Sequence, residues 1–441
     1  MLKKIIALWI GLLVIGCATG ENVSEDTLSN DDLPDTLLGG KADAWDRLNS
    51  PERFAKFLDE KLEYHLAELP LAGKSAKMPW PASYWPTYQD STNARWDGPN
   101  TYSPMEKYDI AFNGWTPPSD FDALMPYSCR GDDVDEAYYD ALGPAARWMS
   151  EKRGHWRTHD GIDNDGDGDV DECSDYDGIG TWWGVCHAWT PAALIEEEPI
   201  HPVEVNGVVF YASDLKALML TAYDYSRAMV IGGRCRAEYV KRDENGRILD
   251  PDCRDTNAGT FHIITANFLG KFNTGFAEDR TYNDQVWNQP VYAYAVDRLE
   301  ELDEKAALEL LYPETEPPAK YPFNDAAKAW AEVEVSMQYV TESHPMRDPI
   351  LPGLDRYLRT DRYHYLLELD GEGAIIGGEW IQAGATGPGG EFSDQPDFLW
   401  YPRGPLSNPT AGANGVREPR KNPHVSYTQV VKLFDQSRAP R

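Results

Sequence analysis

The sequence predicts an α+β fold on three observations. Helical spacing dominates the first half of the chain, strands rich in aromatic and β-branched residues follow, and no internal repeat is present. Lys3 and Lys4 precede an apolar run, Ile5 to Gly16, which is too short to cross a bilayer and reads as a signal-peptide core over residues 1–16. Residues 17–43 are acidic, Ser/Asn/Gly-containing and aromatic-poor, the composition of a flexible tether. One domain is expected from 44 to 441. Helical spacing runs from Leu48 to Leu69, interrupted by Pro51, and the stretch from Met78 to Trp115 is too rich in proline for regular structure. A helix is predicted from Asp133 to Arg153, an acidic loop over 160–178, and a compact apolar segment from Trp182 to Leu194. Val203 to Ala212 reads as a hairpin turning at Asn206-Gly207. Asp214 to Val230 is periodic, with Ser213 as its N-cap. Thr260–Phe268 and Val286–Val296 read as strands, and Arg298–Leu311 as a helix. Tyr363–Leu369 and Ala374–Trp380 form a hairpin across Asp370-Gly371-Glu372-Gly373, and Tyr427–Arg438 closes the chain as a helix.

Composition narrows the function classes. A net charge of −32 argues against nucleic-acid binding, which needs clustered Lys and Arg, and would draw cationic partners instead. The apolar run ends in Val14-Ile15-Gly16-Cys17, which resembles a bacterial lipoprotein box with Cys17 as the lipid-bearing residue. The chain is therefore expected to be exported and held on the bacterial outer membrane or cell surface by its N-terminal lipid alone. Export admits disulfides. Of six cysteines, four remain once Cys17 carries lipid and Cys186 does chemistry. Cys235 and Cys253 flank a turn-rich stretch they would staple, which leaves Cys129 with Cys173, though four cysteines allow three pairings.

The segment Gly184-Val185-Cys186-His187-Ala188-Trp189 is the candidate for the chemistry, the alternative being a buried structural thiol. A thiol is a strong nucleophile only as thiolate, which a helix N-terminus or a neighbouring imidazole favours. Gly184 permits a close turn before a helix-prone stretch, although Pro191 falls within its first two turns. His187 would point elsewhere on such a helix and is expected to be structural. The base is expected to be His262, on a hydrophobic strand downstream, with its imidazole oriented by Asn288 or Asp284, and Asp279 behind them. Gln89 is a candidate second oxyanion donor beside the Cys186 N–H. The acidic loop is a separate site. Asp163, Asp165, Asp167, Asp169 and Asp171 alternate around Gly166 and Gly168, a pattern of hard oxygen ligands that suits a structural Ca²⁺; position twelve of the loop is Ser174 where an EF-hand has Glu.

Val286-Trp287-Asn288-Gln289-Pro290-Val291 resembles the start of the surface peptide of the Phytophthora-type transglutaminase elicitor family. Thr181 to Pro191 resembles that family's nucleophile segment. Trp85-Pro86-Thr87-Tyr88-Gln89-Asp90, Ser103 to Tyr108 and Ile376-Gly377-Gly378-Glu379-Trp380 are also similar to it, so the resemblance covers roughly residues 75 to 402. It implies a papain-like cysteine transferase core joining a glutamine side chain of a protein substrate to a primary amine, Lys or polyamine, through a Cys thioester. After Val291 the chain reads Tyr292-Ala293-Tyr294-Ala295-Val296, where the elicitor peptide continues Arg-Gly-Phe-Lys, so recognition by plants is not implied. Nor does the segment fit the papain cysteine signature. Hydrolysis by the same residues (a cysteine protease or glutamine deamidase) and a non-enzymatic, calcium-dependent surface binding protein are the alternatives.

Overall fold

The computed structural model describes residues 23–25, 46, 48–121, 136–154, 168, 180–233, 240–243, 248–250, 253–280, 285–381, 392–408 and 419–440. Its helices are α1 (Glu52–Leu58), α2 (Pro104–Phe112), α3 (Glu136–Ala141), α4 (Pro144–Arg153), α5 (Cys186–Ile195), α6 (Ala212–Tyr223), α7 (Ala258–Thr265), α8 (Glu304–Leu311) and α9 (Tyr427–Arg438). Its strands are β1 (Val23–Glu25), β2 (Ala72–Lys74), β3 (Val203–Val205), β4 (Val208–Phe210), β5 (Ser226–Gly232), β6 (Phe276–Asp279), β7 (Asn288–Leu302), β8 (Ala329–Val340), β9 (Leu358–Leu369), β10 (Ile375–Trp380) and β11 (Phe398–Pro405). Helices thus lead and a largely antiparallel sheet follows, the expected α+β order. No helix among the described residues is long and apolar enough to cross a membrane.

One sheet organises the molecule, in the order β1-β5-β11-β6-β7-β8-β9-β10, with β2 pairing to β7 beyond the end of β6. All its pairings are antiparallel except β1 with β5. Successive side chains of a strand point to opposite faces, and the two main cores divide that way. Ala228, Ala277 and Trp400 belong to the core that holds α5 and α6. Their strand neighbours Met229, Phe276 and Leu399 belong to the core that holds α7. The sheet is a wall with α5 and α6 on one side and α7 on the other.

Several expectations are corrected, each for a physical reason. Val23–Glu25, read as tether, add a parallel strand to β5. The predicted 133–153 helix breaks at Gly143-Pro144, where proline restarts the chain as α4 and the Asp109 carboxylate accepts the N–H groups of Ala145 and Ala146. Asp214–Val230 is not one helix: α6 ends at Tyr223 and β5 begins at Ser226. Thr260–Phe268, read as a strand, is α7 running on into π-type turns over Ala266–Lys271. Its apolar residues have no strand alternation because the whole helix is buried, and the Asn257 side chain caps it by accepting from Gly259 N–H and Thr260 N–H. The start of the predicted 298–311 helix is the far end of β7, and α8 begins only after Asp303 caps it. Within the proline-rich stretch, Ser103 and Glu106 form a reciprocal capping box that starts α2. The hairpins at 206–207 and 370–373 and the helix at 427–438 stand where the sequence puts them.

Candidate active site

Cys186 opens α5, and the residues before it explain how. A Cβ at Gly184 would stand 2.5 Å from the Tyr84 carbonyl oxygen. That close approach lets Val185 N–H donate to Tyr84 O at 2.7 Å and Thr87 N–H donate to Trp183 O at 2.9 Å, zipping residues 84–87 against the start of the helix. Val185 supplies no side-chain cap, so the positive end of the helix dipole faces the sulfur without a competing carboxylate or hydroxyl. Pro191 neither delays nor divides the helix, which holds from Cys186 to Ile195; it removes the one bond its N–H would have made to the preceding turn.

The Cys186 side chain is fully buried. Its Sγ lies 3.8 Å from the Val286 carbonyl oxygen, and Asn288 Nδ2 donates to it at 3.5 Å. Two further bonds hold Asn288. Trp400 Nε1 donates to Asn288 Oδ1 at 2.8 Å, and Thr190 Oγ1 donates to the Asn288 carbonyl at 2.9 Å. Cys186 and Thr190 are four residues apart and therefore share one face of α5. The helix thus grips the first residue of β7 twice. Aromatic rings flank this junction: Tyr84, beside Gly184, meets Trp287, beside Asn288, with centroids 5.9 Å apart and planes at 64°.

The sulfur is not a free thiol. Cys186 is in a disulfide, which corrects the expectation that it stays out of the cystines. A disulfide sulfur is no nucleophile until exchange with another thiol releases it. Cys253 is likewise in a disulfide. Cys17, Cys129, Cys173 and Cys235 lie outside the described residues.

His262 does not meet Cys186, and its expected role as base is corrected. Its ring is on α7, in the core on the other side of the sheet, where Nδ1 bonds the Tyr365 hydroxyl at 2.8 Å. Burial pushes its imidazole down to about 4, so it is neutral at neutral pH. Asn288 is therefore not the orienter of that imidazole; its amide faces the sulfur itself. Asp284 lies outside the described residues, and Asp279 Oδ1 accepts the Trp287 N–H at 2.8 Å. Gln89 is exposed, with Nε2 donating to the Tyr88 hydroxyl at 3.2 Å. His187, as expected, turns away from the sulfur: Nε2 meets Asp224 Oδ1 at 2.7 Å. Burial pushes the Asp224 carboxyl up, but Arg153 and then His187 outweigh it and hold it below the usual range.

Asp163, Asp165, Asp167, Asp169 and Asp171 lie outside the described residues. Elsewhere Glu332, Glu334 and His364 stand close enough to share a cation, yet Arg298 already pairs with Glu332 at 2.9 Å and Arg362 with Glu334 at 3.2 Å. Of the site residues, Thr190 was legible as the position one turn after Cys186. Trp400 was not, because nothing local links it to residues 186 or 288.

Over residues 52–439 the chain matches the family model described as transglutaminase elicitor. The chain belongs to the transglutaminase elicitor family. Among solved structures, this family member is similar to the GP42 transglutaminase from Phytophthora sojae, with 29% identity and a TM-score of 0.64, the match covering 90% of this chain and 99% of that chain. No curated protein matches it. The family match takes in Cys186, Thr190, Asn288 and Trp400, and so the whole of the junction between α5 and the sheet.

Proposed function

We propose that the chain is a latent protein-glutamine γ-glutamyltransferase of papain-like type with Cys186 as its nucleophile. The observation that carries the reading is the Asn288 amide donating to the sulfur at the uncapped start of α5. A dithiol reductant exchanges with the Cys186 disulfide and releases the sulfur as thiolate, which the amide N–H and the helix dipole hold ionised. The thiolate attacks a glutamine carboxamide; the C–N bond breaks, and ammonia leaves with one proton taken up from solvent. The amine then attacks the thioester, the C–S bond breaks, and the amine's proton is returned as the isopeptide forms. The cycle is proton-neutral and regenerates the thiolate. The Tyr84–Trp287 pair would shield the thioester from water. Ca²⁺ at the 163–171 loop and a lipid on Cys17 are part of the proposal, as a structural ion and an anchor.

The test is incorporation of a biotinylated pentylamine into a glutamine-rich protein, with and without dithiothreitol, in Ca²⁺ or in EGTA. Label is expected only from the reduced wild type, with Cys186→Ser silent and EGTA lowering the melting temperature. A second reading has the disulfide in its favour: a surface binding protein in which Cys186 is a structural cystine. It predicts no label under any condition, and a melting temperature lowered alike by reductant and by Cys186→Ser.

A further inference from the structure

The geometry points to Trp400 as a positioning residue that sets which end of the Asn288 amide faces the Cys186 sulfur. The inference rests on the cysteine-transferase reading and adds a residue to it. A carboxamide has an acceptor end and a donor end of nearly the same shape, and only the donor end favours a thiolate. The indole Nε1–H is donor-only, so the atom it meets at 2.8 Å must be Oδ1, and Nδ2 is then left on the sulfur at 3.5 Å. With the amide reversed, Oδ1 would face the sulfur and repel its charge, while two donors would confront each other at the indole.

The fold supplies the indole from two strands away. Trp400 is on β11, Asn288 on β7, and β6 lies between them. Trp400 is in register with Ala277 of β6, a fully buried residue on the α5 face. The small side chain at 277 leaves the indole room to lie across β6 and reach the amide. Thr190 holds the backbone carbonyl of the same asparagine, which leaves its side-chain torsions, and with them the end of the amide that faces the sulfur, for Trp400 to decide. The Trp400 hydrogen bond goes to Asn288, and it is through that amide that the indole acts.

The readout is the pH dependence of iodoacetamide alkylation at Cys186 in the reduced protein, followed site by site by mass spectrometry. Trp400→Phe keeps an aromatic ring and removes the donor. It is expected to move the alkylation profile to higher pH and to slow alkylation about tenfold on the acid limb, at pH below the wild-type midpoint, the effect of roughly one unit of lost differential stabilisation. Asn288→Ala is expected to do at least as much, and Trp400→Phe to add nothing in the Asn288→Ala background. A profile that stays in place in folded Trp400→Phe, or effects of the two substitutions that simply add, overturns the assignment. Where Trp400→Phe fails to fold, Ala277→Leu, which crowds the indole, is read the same way. Amine incorporation by wild type is scored separately, so absence of transfer and absence of the profile shift are different results.

Discussion

Because the His262 imidazole bonds the Tyr365 hydroxyl on the face away from Cys186, replacing it should lower stability and leave the sulfur's reactivity alone. His262→Phe strands a buried hydroxyl, a loss of about 1–3 kcal/mol. Alkylation of reduced Cys186 should stay within about twofold of wild type, whereas a histidine serving as base would change it by far more. The same residue has a pH signature. Its folded value of about 4 lies below the ordinary 6.5, so the unfolded chain binds the proton first. Its contribution is present above pH 6.5 and is lost as pH falls towards 4, by up to about 1.4 kcal/mol per pH unit. Thermal melts at intervals between those values should show that part of the slope missing in His262→Phe. The misplacement has a clear origin. A histidine between apolar residues says only that it is buried, and which side of a sheet it is buried on depends on strand order, which no local pattern encodes.

Between elements, the contact of α7 with β10 is set by backbone rather than side chains. A Cβ at Gly259 would stand 2.5 Å from the Gly377 carbonyl oxygen. Gly259→Ala is the substitution that helix propensity recommends, by about 1 kcal/mol. Here the added methyl meets a carbonyl that belongs to a strand and cannot swing aside. The overpacking penalty of about 1–3 kcal/mol should therefore outweigh the gain, and urea denaturation should show a net loss. This contact also explains which elements were legible in advance. The two tight hairpins and the closing helix announce themselves locally, through Asn206-Gly207, the glycines at 371 and 373, and the spacing after Ser426. α7 did not, since it is buried on every side and its polar residues Thr260, His262 and Thr265 mark no outer face. β8 alternates Ala331, Val333, Val335, Met337 and Tyr339 inward, the period-two pattern of a strand with one face on the core.

For the whole molecule the governing quantity is charge. A formal net charge of −32 makes the folded state repel itself, and salt shortens the reach of that repulsion from about 30 Å at 0.01 M to about 8 Å at 0.15 M. The melting temperature should rise steadily with sodium chloride over that range; a fall would mean that surface ion pairs such as Arg347–Asp97 outweigh the repulsion. Cys186 and its neighbours on one side, His262 and its neighbours on the other, are separated by a continuous hydrogen-bonded partition. That arrangement offers a practical freedom to anyone wishing to harden the protein against heat. Substitutions made behind the partition, around Phe261, Tyr363 and Trp380, can be accumulated and screened for robustness first, because among the described residues these rings pack on one another within the core that does not hold Cys186.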